Sequence, residues 1–210
     1  MKNKTPFLLL GSIVLLFLVS CGKEKSIDTL GGTNNAGSTG SEKGTWKLLN
    51  MHGITTSIVE ITDGVDNATS VTTSDYITDN NTGTLKFDGS TMTGTNIGYS
   101  MDAIAHALFY TNGVLDDSLD APISAVIPST NTSATYKKVA ADSIYVNSGV
   151  FTTVGTNGTT QSAGGGYKLA FNGDTMTMRA TVDQSKVELN MGLTQRTTNH
   201  AVQIITLKKQ

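Results

Sequence analysis

"GYKLAFNGDTMTMRATVD", residues 166–183, decides the class of fold. Tyr167, Leu169 and Phe171 fall on one face of its first half. After a short interruption Met176, Met178, Ala180 and Val182 alternate with Thr175, Thr177, Arg179 and Thr181. A period of two is the signature of a strand buried on one side. Between the two runs, Asn172-Gly173-Asp174 supplies residues that tolerate the positive φ of a tight hairpin turn. The stretch therefore predicts two antiparallel strands.

The same grammar extends in both directions. "GTLKFDG" places Leu85 and Phe87 inward and ends in a second turn signal, Asp88-Gly89-Ser90. Further strands are predicted at "TWKLLNM", "SIVEIT", "SVTTSDYI", "TMTGTNIGY", "ATYKKV", "DSIYVNSGVFTTV" and "AVQIITLKK". Short strands separated by turns define an all-β domain over residues 44–210, an antiparallel β-barrel of about eight to ten strands or, alternatively, a β-sandwich. One segment departs from the pattern. In "SMDAIAHALFYTNG" the apolar residues Met101, Ile104, Ala105, Leu108 and Phe109 follow helical spacing, Ser100 is placed to cap the start, and Asn112-Gly113 to end it. A short helix is expected there, followed by a long irregular connection over residues 113–134.

Composition agrees. The 210-residue chain is 38% hydrophobic and only 15% charged, with Gly, Thr, Ser and Asn in the difference, which favours strands and turns. A net charge of -2 gives no basic footprint for nucleic acid.

The N-terminus carries an address. Lys2 and Lys4 precede an uncharged apolar run, Phe7–Val19, too short to span a bilayer, and Gly22-Lys23-Glu24-Lys25 ends it. Residues 1–20 read as an export signal, and their removal takes the charge from -2 to -4 by the loss of two lysines. Leu18-Val19-Ser20-Cys21 resembles the lipobox of bacterial lipoproteins, in which the cysteine is acylated and becomes the new N-terminus. That resemblance implies an anchor at Cys21, the chain's only cysteine, on a cell-envelope membrane. Gly22 in place of an Asp favours the outer membrane, and Lys23-Glu24 partly resembles the surface-export signal of Bacteroidetes-type lipoproteins. Residues 22–43, rich in Gly, Ser, Thr and Asn, read as a flexible linker spanning about 25 Å.

Gly44-Thr45-Trp46-Lys47-Leu48 is similar to the Gly-x-Trp strand of lipocalins and of bacterial lipocalin-like lipoproteins, and Ile205-Thr206-Leu207-Lys208-Lys209 to their final strand. The resemblance implies a barrel whose base is closed by Trp46 beneath an arginine; Arg179 and Arg196 are the available arginines, and neither stands on the last predicted strand. It also implies a small apolar or amphipathic ligand held by Trp46, Phe87, Tyr167, Phe171, Met176 and Met178. The same residues read equally as a filled core. In that case the protein is a structural or interaction module touching glycan or other envelope proteins.

Catalytic and metal signals are not found in the pattern. His52, His106 and His200 lack zinc-ligand spacing, and "GYSMD" fails the nucleophile-elbow pattern at its last position. The acidic clusters at Asp63-Gly64-Val65-Asp66-Asn67 and Asp116-Asp117-Ser118-Leu119-Asp120 do not match the calcium-loop spacing and read as solvated turns. Gly164-Gly165-Gly166 lacks the lysine of a phosphate loop and reads as a hinge or turn. No cofactor, metal or catalytic residue is expected, and the reading is of a protein that is not an enzyme.

Overall fold

The computed structural model describes residues 40–155, 158–161, 164–190 and 192–210; the export signal, Cys21 and most of the linker lie outside the described residues. The described chain is all-β. Its strands are β1 (Gly44–Thr62), β2 (Asn67–Ile77), β3 (Asp79–Phe87), β4 (Thr91–Thr111), β5 (Val114–Ala140), β6 (Ser143–Val146), β7 (Thr152–Gly155), β8 (Gly158–Gln161), β9 (Gly165–Asn172), β10 (Thr175–Asn190) and β11 (Leu193–Lys209).

Nine of these form one antiparallel sheet, and β7 and β8 pair separately. The large sheet closes on itself. At the end where the chain enters, β1 pairs with β3 and β11, and the circuit runs β1-β3-β4-β5-β6-β9-β10-β11 and back to β1. Further along, β2 replaces β3 between β1 and β4. The exchange is organised by Thr78, which is buried: its N–H donates to Met51 O at 2.9 Å and its Oγ1 accepts from Met51 N at 2.8 Å. Asn81 Nδ2 donates to the Thr78 carbonyl at 2.8 Å, so the backbone groups freed by the break find partners.

The predicted hairpins form. Gly173 adopts φ +60 in the two-residue connection between Asn172 and Thr175, and Asp88 Oδ1 accepts the backbone N–H groups of Ser90 and Thr91 at 2.8 and 2.7 Å. The expected helix does not. Residues 100–111 are part of β4, paired with β2 on one side and β5 on the other. Met101 and Ala105 point inward and are buried, whereas Ile104 is exposed on the opposite face. Apolar residues on both faces of a strand mimic helical spacing, and Asn112 (φ +51) with Gly113 (φ +80) ends the run as a hairpin turn instead of a helix cap. Residues 113–134, expected as an irregular connection, are correspondingly strand: β5 pairs with β4 from Val114 to Thr135, with register shifts between Gly94 and Ile97, Ile97 and Tyr99, and Phe109 and Tyr110.

Six strands outrun the ring. β6 and β9 are short, so β10, β11, β1, β2, β4 and β5 continue beyond them as an open sheet. At about 3.3 Å per residue, the stretch of β1 from Met51 to Thr62 carries this extension roughly 35 Å. The tips of its β1–β2 and β4–β5 hairpins are pinned together: Asn112 N donates to Asn67 O and Asn67 N to Asn112 Oδ1, both at 2.8 Å.

Candidate functional site

The six residues proposed from sequence to line a ligand chamber meet in the ring. Trp46, Phe87, Tyr167, Met176 and Met178 are each at most 5% exposed and belong to one cluster with Leu48, Leu85, Met92, Ile144, Ile205 and Leu207; Phe171 packs against it partly buried. The Trp46 and Phe171 ring centroids are 6.2 Å apart and tilted, and Phe87 meets Tyr136 edge-on at 5.6 Å. These side chains pack against one another. The Trp46 indole N–H donates to Glu42 O at 2.7 Å, and Lys209 Nζ stands 4.4 Å from its ring centroid. Arg196 lies on β11 but opposite Glu60, far along the extension, and Arg179 lies on β10 opposite Ile204.

Sequence reasoning missed Glu42, which it placed in the linker. Its side chain is 3% exposed and pairs with Lys138 Nζ at 2.9 Å, while Tyr136 Oη donates to it at 3.4 Å. Burial acts to raise the Glu42 pKa. The hydrogen bond from Lys138, that from its own backbone N–H, the Lys138 charge and the Tyr136 hydroxyl together outweigh it and hold the carboxyl below its ordinary value. Burial and the same carboxylate push the Tyr136 phenol up to about 12.

Two recesses open on the sheet, the first walled partly by side chains of this core. One, of about 280 Å³, opens where β4 and β5 leave the ring and is bordered by Ile97, Tyr99, Ile127, Thr130, Asn131, Thr132 and Val150. Thr132 Oγ1 is buried in its wall without a hydrogen-bond partner and lies 2.5 Å from where a Cβ on Gly94 would be. The other, of about 360 Å³, is a groove on the extension, bordered by Ile54, Thr55, Thr56, Thr73, Ser74, Asp75, Ile104 and His106.

The groove sits on an ordered row of side chains. Register places Asp183, His200, Thr56, Thr73, His106 and Asp120 directly opposite one another across β10, β11, β1, β2, β4 and β5. Residues in one such row share a face. His106 Nδ1 is 2.6 Å from Asp120 Oδ1, and His200 Nδ1 is 2.5 Å from Asp183 Oδ1, so the row begins and ends with a carboxylate–imidazole pair and has two hydroxyls in its centre. On the same face, His52 Nε2 is 2.6 Å from Asp75 Oδ1. All three histidines are thus partnered by an aspartate across neighbouring strands. Nothing in their sequence spacing reports this, because strand register brings them together. Ile54 and Ile104, both partly exposed, add apolar surface beside the hydroxyls. The groove offers hydroxyl, imidazole and apolar contact, and its Asp75 carboxylate is already engaged by the His52 imidazole.

Among the described residues no three His, Cys, Asp or Glu stand together as a metal site. In the first acidic turn, the backbone N–H groups of Asp66 and Val65 both donate to Asp63 Oδ1 at 2.8 Å and hold that carboxyl below its ordinary value. The carboxylate is thereby engaged with its own turn. Asp116, Asp117 and Asp120 lie on β5, exposed. Comparison with protein-family models, curated proteins and solved structures finds no match to this chain.

Proposed function

We propose that this is a lipid-anchored protein of the bacterial outer membrane, tethered through Cys21, whose β-domain is a non-catalytic interaction module presenting the extended sheet to another envelope component. The observation that supports it is the contrast between the two halves of the sheet. The ring interior is occupied by its own aromatic and methionine side chains, whereas the six strands beyond it bury only a small cluster around Tyr76 and Met101 on one face and leave the other half-exposed around a groove of hydroxyl, imidazole and isoleucine groups. The finer reading of the ring is a lipocalin-like barrel. The chain-entry end supports it, since Trp46 lies there under a cation from the last strand, with Lys209 in the position the resemblance gives to arginine.

A photo-crosslinking residue placed at Ile104 or His106, on the groove, is expected to give covalent adducts with envelope material in the native host, and one placed at Val139, beside the ring, is not. Equal labelling at the two places would overturn the reading. A second reading, a carrier of a small amphipathic ligand, is favoured by the recess between Ile97, Tyr99, Ile127 and Val150, which approaches the size of small-molecule sites. A small hydrophobic molecule retained in the native mass spectrum of the protein would select it over the first.

A further inference from the structure

The extension ends in two free backbone edges, and the chain treats them differently. On β5, residues before Thr135 have β4 on one side and no strand on the other among the described residues. That edge carries Asp116, Asp117 and Asp120 and two prolines, Pro122 and Pro128, the residue types that discourage strand addition. On β10, β9 covers only Thr175–Arg179, and from Ala180 to Asn190 just one edge is taken among the described residues, by β11. This second edge has no proline. It exposes Val182, Val187 and Leu189, the last at 76%. Its charged residues are Asp183, Lys186 and Glu188, and a long edge free of proline whose opposite charges lie close together can meet another strand with those charges matched instead of opposed.

Its sequence is self-complementary. We infer that β10 pairs antiparallel with β10 of a second copy of this chain about a two-fold axis at Val187. In that register Val187 faces its own counterpart, Lys186 faces the Glu188 of the other copy and Glu188 its Lys186, and Ser185 faces Leu189. Within one chain Lys186 and Glu188 share a face of the strand and meet at 2.6 Å. The two-fold would exchange that partner for two directly opposed ion pairs, the favourable cross-strand arrangement, and the interface would close by symmetry instead of growing into a fibre. The same axis would cover Val187 and join the two extensions into one continuous sheet. The inference stands apart from the identity of whatever the groove contacts.

The test uses the full chain with Cys21→Ser, so that an introduced cysteine is the only thiol. Directly opposed residues of an antiparallel pair have Cα atoms about 4.5–5.5 Å apart, within disulfide range. Val187→Cys is expected to form a disulfide-linked dimer on air oxidation and Val182→Cys, outside the paired stretch, is not. In sedimentation, Lys186→Glu is expected to weaken the dimer by about tenfold through like charges in both opposed pairs, and the exchange Lys186→Glu/Glu188→Lys to restore it. No more linkage at position 187 than at 182, or failure of the exchange to rescue the single reversal, would overturn the proposal.

Discussion

Glu42 shows at the scale of one residue how a polar group becomes part of a core. The Lys138 ammonium and the Tyr136 hydroxyl reach it from β5, so the segment before the first strand is fixed to the far side of the ring. Because its folded pKa lies below the unfolded value, Glu42 contributes stability above the ordinary carboxylate range and loses it as pH falls through the lowered value. Glu42→Gln is expected to cost about 1–3 kcal/mol at neutral pH and to converge with the parent in acid. Urea unfolding at several pH values checks this; a pH-independent difference would assign the loss to packing. The residue was illegible in sequence because a lone acid in a Gly/Ser-rich stretch looks the same whether or not a distant strand brings it a lysine.

Among the elements, β3 and β4 show how the sheet bends into a ring. Their register shifts between Asp79 and Thr82 and again between Thr82 and Thr84, and Gly83 sits at that irregularity with φ +93. A Cβ there would lie 2.4 Å from the Asn96 carbonyl oxygen, so both conformation and space require glycine. Gly83→Ala is expected to destabilise by about 1–3 kcal/mol, read as a lowered thermal midpoint without change in the circular dichroism of the native state. An unchanged midpoint would show that the bulge relaxes freely. β4 itself explains the failed helix expectation: its Met101 and Ala105 serve the inner face while Ile104 and Leu108 lie on the outer, and a one-dimensional pattern does not separate two half-covered faces from one buried stripe.

For the whole molecule, stability is concentrated at the chain-entry end. There Leu85, Met92, Ile144, Met176, Met178, Ile205 and Leu207 are fully buried, while toward the hairpin tips the same strands carry half-exposed Thr, Ser and Val. Hydrogen exchange is expected to follow that gradient along single strands: amides of Trp46–Met51 exchange only on global unfolding, and those of Ile58–Thr62 faster through local opening. Uniform protection along β1 would mean that the extension is covered by something else, and repeating the measurement across concentrations separates a second copy from other cover.

Alternation and turn residues determined, from the sequence by itself, that the domain is built of antiparallel strands, which runs outside residues 100–134 are strands, and where Asn172-Gly173-Asp174 and Asp88-Gly89-Ser90 reverse the chain, because a period of two and a positive φ are local properties. Tertiary structure alone decided that "TWKLLNM" and "SIVEIT" are one strand, that the sheet closes through β1 and β11, that Lys209 covers Trp46, and that Asp183, His200, His106 and Asp120 stand in one row. Those depend on register between strands far apart in the chain. Register is fixed by the packing of the whole ring, not by the composition of any segment in it.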